Sequence, residues 1–287
     1  MSENCHAGHH WYANGQSGLK EDLLNLFLSL DRHFQEIASR FHGKEHRFPI
    51  FVPVAEMQKI DYLGSFPHLA TFPVTLRDDQ KNLESFVTRG PIGPQGGVQL
   101  TEVSPIRDML TPAACYHFYI QYQKQELAAP LFLTTVANCF RRESHFVPLE
   151  RQWNFNMREI VCIGTAEEVQ EFLSACRREV EGFLVELGLP IEWQVATDPF
   201  FNPAKNPKFL LQRLQPNKTE MVFQGRLAIG SVNFHRNYFG EAFAIRRENQ
   251  EAYSGCVAFG VERWVSAILH HFGPKRENWP ALLREIP

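Results

Sequence analysis

Arginine and glutamate crowd one stretch of the chain, residues 138–164, NCFRRESHFVPLERQWNFNMREIVCIG. It opens on apolar and β-prone residues, breaks at Pro148 and resumes as a β-prone run over 153–163. That is the pattern of two antiparallel strands joined by a charged loop. The loop and its edges carry Arg141, Arg142, Glu143, His145, Glu150, Arg151 and Arg158. Buried charges need partners, so a hairpin this charged is a poor choice for plain core. It suits a charged ligand, because a guanidinium fork can hold two phosphate oxygens at once. Near the other end, SGCVAFGVERWVSAILHHFG (254–273) places Gly255 and Gly260 ahead of Glu262 and Arg263, where small residues let backbone approach a ligand closely.

The elements that must position these groups follow from spacing. Over 19–41, apolar residues fall at Leu23, Phe27, Leu30, Phe34, Ile37 and Phe41, which predicts an amphipathic helix stopped near Gly43. A strand over 47–54 contains Pro49 and Pro53 and so reads as an edge or interface strand. Residues 55–76 read as a short helix followed by a strand over 70–76. The Gly- and Pro-rich run 89–100 reads either as a lid or as a linker. Thr111-Pro112 predicts a helix start, with Cys115 in its first turns. There the helix dipole would favour a thiolate, and a buried packing role is the competing reading. Thr165 to Glu168 is a capping box opening a helix whose apolar stripe includes Cys176. Residues 191–250 read as short strands and loops, with Ser231, Asn233 and His235 inside one strand-like run.

The 287 residues fit one large domain, residues 19–287, behind a flexible N-terminal tail over 1–18. Cys5, His6, His9 and His10 in that tail lack a second ligand pair at finger-like spacing. The six cysteines are scattered, unlike a disulfide framework. A net charge of -3 supplies no global pull toward nucleic acid. No run approaches the roughly 18 apolar residues of a membrane span. With no signal-peptide pattern at the start, the expected location is the cytoplasm.

The order Phe140-Arg141-Arg142-Glu143, a loop, then Phe155 and Glu159 resembles the second signature motif of class II aminoacyl-tRNA synthetases. The long helix and Pro-ended strand over 19–54 resemble the first motif, which builds a homodimer interface. Gly255, Gly260, Glu262 and Arg263 resemble the third. The resemblance covers nearly the whole chain and implies an α+β catalytic fold, an antiparallel sheet flanked by helices. It implies that Arg141 contacts the ATP α-phosphate, that Glu143 and Phe155 hold adenine, and that Arg263 holds the γ-phosphate. Ser231 and Asn233 would lie near ATP and its Mg2+, although no acidic residue stands just upstream of them.

Cys115, Glu159 and Cys256 occupy motif positions that resemble the zinc ligands of the atypical seryl-tRNA synthetases of methanogens. They are more similar still to those of the truncated relatives of that group, the amino acid:[carrier protein] ligases. In both, zinc binds the amino group of the substrate. The sequence has no basic domain, heptad run or spare stretch of roughly 100 residues for tRNA, which favours the shorter relative. The resemblance implies adenylation of a small amino acid, glycine or alanine, and transfer to the phosphopantetheine thiol of an acyl-carrier-type protein. Lys205, Lys208 and Arg213 could dock the acidic carrier. A tRNA-aminoacylating enzyme and an inactive synthetase-like regulator are the alternatives.

Overall fold

The computed structural model describes residues 7–93 and 95–284. Cys5 and His6 lie outside the described residues. The rest of the stretch read as a tail begins with a hairpin, β1 (His9–Tyr12) and β2 (Gln16–Leu19), rather than loose chain. It is braced on the charged loop. The Trp153 N–H donates to the Gly15 carbonyl at 2.8 Å, and Gly15 has φ +86 with the Phe146 ring where a Cβ would sit.

Helix α1 (Glu21–Arg40) follows and buries Leu23, Leu26, Leu30, Phe34 and Ile37. Phe34 stacks on Phe259 at 4.1 Å and meets Trp264 edge-on at 5.0 Å. Burying a ring of this size contributes about 2–3 kcal/mol. The Gly43 N–H closes the helix on the Ala38 carbonyl, so the predicted stop is in place.

Of the edge strand expected over 47–54 only β4 (Phe51–Pro53) forms, and a separate short strand, β3 (Lys44–His46), precedes it. Pro49 between them has no N–H to offer a ladder. Short helices α2 (Val54–Lys59) and α3 (Tyr62–Ser65) come next. The strand expected over 70–76 is absent apart from a single bridge between Leu76 and Val103. Helix α4 (Gln80–Arg89), capped by Asp79, precedes the Gly-rich run, which makes one bridge between Ile92 and Val98. Then come β5 (Asp108–Leu110), helix α5 (Tyr116–Gln121), β6 (Glu126–Leu127), β7 (Leu131–Phe140) and β8 (Asn154–Gly164). Thr165 and Glu168 close the capping box of α6 (Ala166–Leu187). After it lie β9 (Ile191–Val195), α7 (Pro207–Leu214), β10 (Lys218–Phe223), β11 (Leu227–Arg236) and α8 (Tyr238–Phe243). The chain finishes with β12 (Arg246–Arg247), β13 (Gln250–Glu251), β14 (Tyr253–Gly260), α9 (Val261–Phe272) and α10 (Ala281–Arg284).

The main sheet has the order β3-β7-β8-β14-β11-β10-β9, antiparallel except for the β3–β7 pair. This is the α+β arrangement read from the sequence. One face of the sheet presents Ile160, Cys162, Val257, Phe259 and Ile229 to α1, α6 and α9, forming the core. Cys162 and Cys139 are buried on the hairpin strands and Cys176 is buried in α6, as packing residues. Among the described residues no helix is long and apolar enough to cross a membrane.

Arg158 does not face a ligand, contrary to its grouping with the other hairpin charges. It is 2% exposed, forks onto both oxygens of Asp31 at 2.8 Å, and reaches Glu45 at 2.6 Å. It therefore ties β8 to α1 and β3. Breaking a buried pair strands an uncompensated charge, so Asp31→Asn should lower unfolding stability by roughly 2–4 kcal/mol. Chemical denaturation should show this as a lower midpoint with an unchanged slope. A change within about 0.5 kcal/mol would mean that Glu45 alone suffices.

Candidate active site

The sheet's other face is the floor of a cleft of about 460 Å3. Side chains alternate along a strand, so Phe155, Met157 and Glu159 of β8 share that face. Register aligns the neighbours: Glu159 lies opposite Ala258, which lies opposite Ser231, and Cys256 lies opposite Asn233. The cleft therefore runs along the strands in a fixed order. Phe155 is at one end, Glu159 and Ser231 are near the middle, and Cys256 and Asn233 come next.

Guanidinium groups dominate the Phe155 end. Arg141 donates from Nε to the Pro112 carbonyl at 2.8 Å and lies over the Phe155 ring at 5.2 Å. Arg263, in the first turn of α9, donates to the Glu150 carbonyl at 2.7 Å and the Ala228 carbonyl at 2.9 Å. Burial and the nearby charges of Arg141 and Arg151 pull its pKa below the usual guanidinium value. A cation destabilised by other cations is a natural anion site. Glu143 lines the same end and accepts from Arg151 at 2.7 Å. Arg142 and His145 are exposed. Glu150 fastens the hairpin loop to its surroundings, binding Arg226 at 2.7 Å and Ser266 at 3.2 Å.

Cys115, Glu159 and Cys256 converge at the other side of the floor, each 5% exposed or less. Glu159 Oε1 accepts from the Ala114 N–H at 2.8 Å and the Cys115 N–H at 3.2 Å, pinning the turn before α5. Cys115 precedes that helix, and its thiol is not activated there. A hydrogen bond to Cys256, burial and the Glu159 charge push its pKa well up, against the thiolate expected from the helix dipole. Cys256 Sγ receives Asn233 Nδ2 at 3.3 Å and lies 3.6 Å from His235 Nε2. His235 also meets Tyr119 and Ser254, each at 3.2 Å, and burial lowers its pKa to about 4, so the ring is neutral. Three acidic groups thus face one another, with neutral partners around them. Among the described residues no group of three or more such side chains is closed into metal-holding geometry. The donor chemistry nevertheless fits a divalent ion: two sulfurs and a carboxylate whose mutual repulsion a cation would offset.

Residues 105–272 match the tRNA synthetase class II core domain (G, H, P, S and T). Amino acid–[acyl-carrier-protein] ligase 1 of Bradyrhizobium diazoefficiens is 36% identical over 248 residues, covering 84% of this chain and 75% of that protein. Ligase 2 of the same organism is 32% identical, covering 95% of this chain and 81% of that protein. The chain belongs to the amino acid–[acyl-carrier-protein] ligase family. Its fold is also that of M. kandleri SerRS, solved in complex with A. aeolicus tRNASec, with a TM-score of 0.80 at 19% identity. That match covers 96% of this chain and 57% of the SerRS.

Within this ligase-family cleft, several residues went unread in the sequence. Glu220 of β10 lies opposite Ser231 and lines the cleft, so an acidic neighbour comes across the sheet rather than from just upstream. Asp198, whose charge burial opposes, is held low by Lys218 at 3.0 Å. Lys208 is no free docking cation: its ammonium binds Asp61 at 3.0 Å and Tyr238 at 3.1 Å, whereas Lys205 and Arg213 are exposed. Helix α7, which carries Lys208 and Arg213, had a readable start in Asn206-Pro207, where Asn206 caps the Lys208 N–H.

Glu262 is buried and accepts from the Asn156 backbone N–H at 3.0 Å and its Nδ2 at 2.8 Å. Burial raises its pKa to about 7, above the ordinary 4.5. The folded state therefore holds a proton that the unfolded chain releases between these values. This contribution is full below pH ~4.5 and is lost as pH rises through ~7, on the order of 3 kcal/mol. Glu262→Gln should flatten that slope and stabilise the protein at pH 8. Thermal unfolding across pH 5–8 checks it, and parallel curves for both proteins would refute the assignment.

Proposed function

We propose that this protein adenylates a small amino acid, glycine or alanine, with ATP and passes it to the phosphopantetheine thiol of an acyl-carrier-type protein. The observation carrying this reading is the order of groups along one cleft. Cations gather at the Phe155 end, and the Cys115–Glu159–Cys256 cluster lies about four to six residues further along the strands, roughly 13–20 Å away. An aminoacyl-adenylate has that polarity, with phosphate and base at one end and an amine at the other. The small size of the amino acid rests on the family resemblance.

Phe155 and Glu143 would hold adenine, Arg141 the α-phosphate and Arg263 the terminal phosphates, with Ser231 and Asn233 beside the reacting carboxylate. Mg2+ would accompany the ATP phosphates. The carboxylate oxygen attacks the α-phosphorus and pyrophosphate departs, while Arg141 stabilises charge on the equatorial oxygens. The thiol sulfur then attacks the adenylate carbonyl, loses its proton, and AMP leaves with the bonding pair. Cys115, Glu159 and Cys256 would hold zinc, which when bound supplies a Lewis acid for the amine lone pair. His235 and Asn233 hold the Cys256 sulfur, and would thereby help to orient the amine and keep the carboxylate in line.

A second copy of the chain would cover the exposed Ile50 and Phe51 beside β4, as the first-motif resemblance implies. Carrier docking would use the exposed Lys205 and Arg213 near α7. Transfer to a carrier rather than to tRNA is the reading that the ligase relatives support. A cytoplasmic location remains part of it.

The test is amino-acid-dependent ATP–pyrophosphate exchange across all twenty amino acids, with zinc assayed on the same sample. Exchange with one or two small amino acids is expected. Cys115→Ala should lose both zinc and exchange, and Arg141→Ala should cut exchange by roughly two to three orders of magnitude. A zinc-loaded dimer that exchanges with no amino acid would favour the inactive regulator instead. Aminoacylation of tRNA would favour the synthetase alternative.

A further inference from the structure

Strand β11 ends in a bulge. Its register with β14 passes from Phe234 opposite Gly255 to Arg236 opposite Ser254, leaving His235 as the extra residue. Arg236 takes φ +57, a left-handed conformation that is costly for a residue with a Cβ. Consecutive residues of an unbroken strand point to opposite faces, yet here His235 and Arg236 both line the cleft. Bulges beside sites re-aim a side chain, and this one sets a guanidinium at the cleft's rim, where it meets Gln215 of the same lining.

That guanidinium is uncommitted. Its described hydrogen bond is to the neutral Gln215 Oε1, at 2.6 Å, and among the described residues no carboxylate lies within ion-pair distance of it. Lys208, which bonds Tyr238 two residues beyond Arg236, is already paired with Asp61, whereas Arg263 at the opposite end answers to the nucleotide in the proposed function. Gln215 is exposed and Arg236 half-buried, so the group stands at the rim. From Arg236 back to Ser231 is five residues of strand, roughly 16 Å. An extended arm containing two amide bonds spans a comparable distance.

We infer that Arg236 anchors the phosphate ester of a pantetheine arm entering from this rim, so that the thiol arrives near Ser231 where the adenylate carbonyl would lie. Nucleotide and arm then approach from opposite ends of one cleft, and each end has its own phosphate-reading arginine. Arg236 is a binding residue for the second substrate and rests on the carrier-ligase reading above.

Thioester formation by the full chain, charged with ATP, Mg2+ and the amino acid that supports exchange, tests this with phosphopantetheine and pantetheine as acceptors. The wild type should prefer phosphopantetheine by roughly 10- to 100-fold in kcat/KM, the scale of a lost charge-assisted contact. Arg236→Gly removes the charge while easing the left-handed backbone and should bring the ratio close to one. Arg236→Lys should keep part of the preference. Because the ratio is internal, a folding defect that slows both acceptors leaves it intact. Equal use of both thiols by the wild type, or an undiminished preference in Arg236→Gly, overturns the arm site and spares the ligase reading. Adenylate formation with no thioester from either acceptor removes the ligase reading and the arm site with it.

Discussion

Everything at the site depends on the register of three strands. β8, β14 and β11 pair antiparallel with Glu159, Ala258 and Ser231 in one row and Cys256 and Asn233 in the next. A slip of one residue in any of them would exchange its faces. Phe259 and Val257 would then enter the cleft, and Cys256 and Ala258 would enter the core. Packing forbids that, because Phe34, Phe259 and Trp264 already fill one another's space on the core side. The aromatic contacts of the buried face thus hold the chemistry of the open face in line.

The charged groups are separated by function along that floor. Arg141 and Arg263 are held by backbone carbonyls rather than by carboxylates, which keeps their positive charge available. Carboxylates in the same motifs do structural work instead. Glu262 receives the Asn156 N–H, and Glu150 locks the hairpin loop through Arg226 and Ser266 while its carbonyl holds Arg263. The second-motif loop and the third-motif helix are thereby one mechanical unit. A displaced loop would carry the Arg263 anchor away with it.

Strand periodicity made much of this legible. Residues 155, 157 and 159 share one parity and 158 has the other, so the inward turn of Arg158 was implicit in the same alternation that placed Phe155 and Glu159 in the cleft. What spacing could not supply was contact across the fold. The N-terminal hairpin gains its order from Trp153 and Phe146, far along the chain. Spacing left Cys115 between a dipole-favoured thiolate and a buried packing residue, and it is burial with proximity to Cys256 and Glu159 that decides against the thiolate. Glu220 could not be found beside Ser231 without knowing that β10 pairs with β11.

The two ends of β11 show how one strand can serve two substrates. At its start the Ala228 carbonyl accepts from Arg263, so the regular ladder positions a group that belongs to a different element. At its end the ladder breaks, and the bulge presents the strand's own His235 and Arg236. Regular pairing is needed where several strands must agree on the place of one reacting centre. Broken pairing is tolerable at the rim, where a single side chain must change direction and the bulge side chains are themselves held, Arg236 by Gln215 and His235 by Ser254. Strain at Arg236 is therefore set where it disturbs no row of the floor, and the geometry around Glu159 and Cys256 stays fixed while the rim remains free to specialise for whatever enters there.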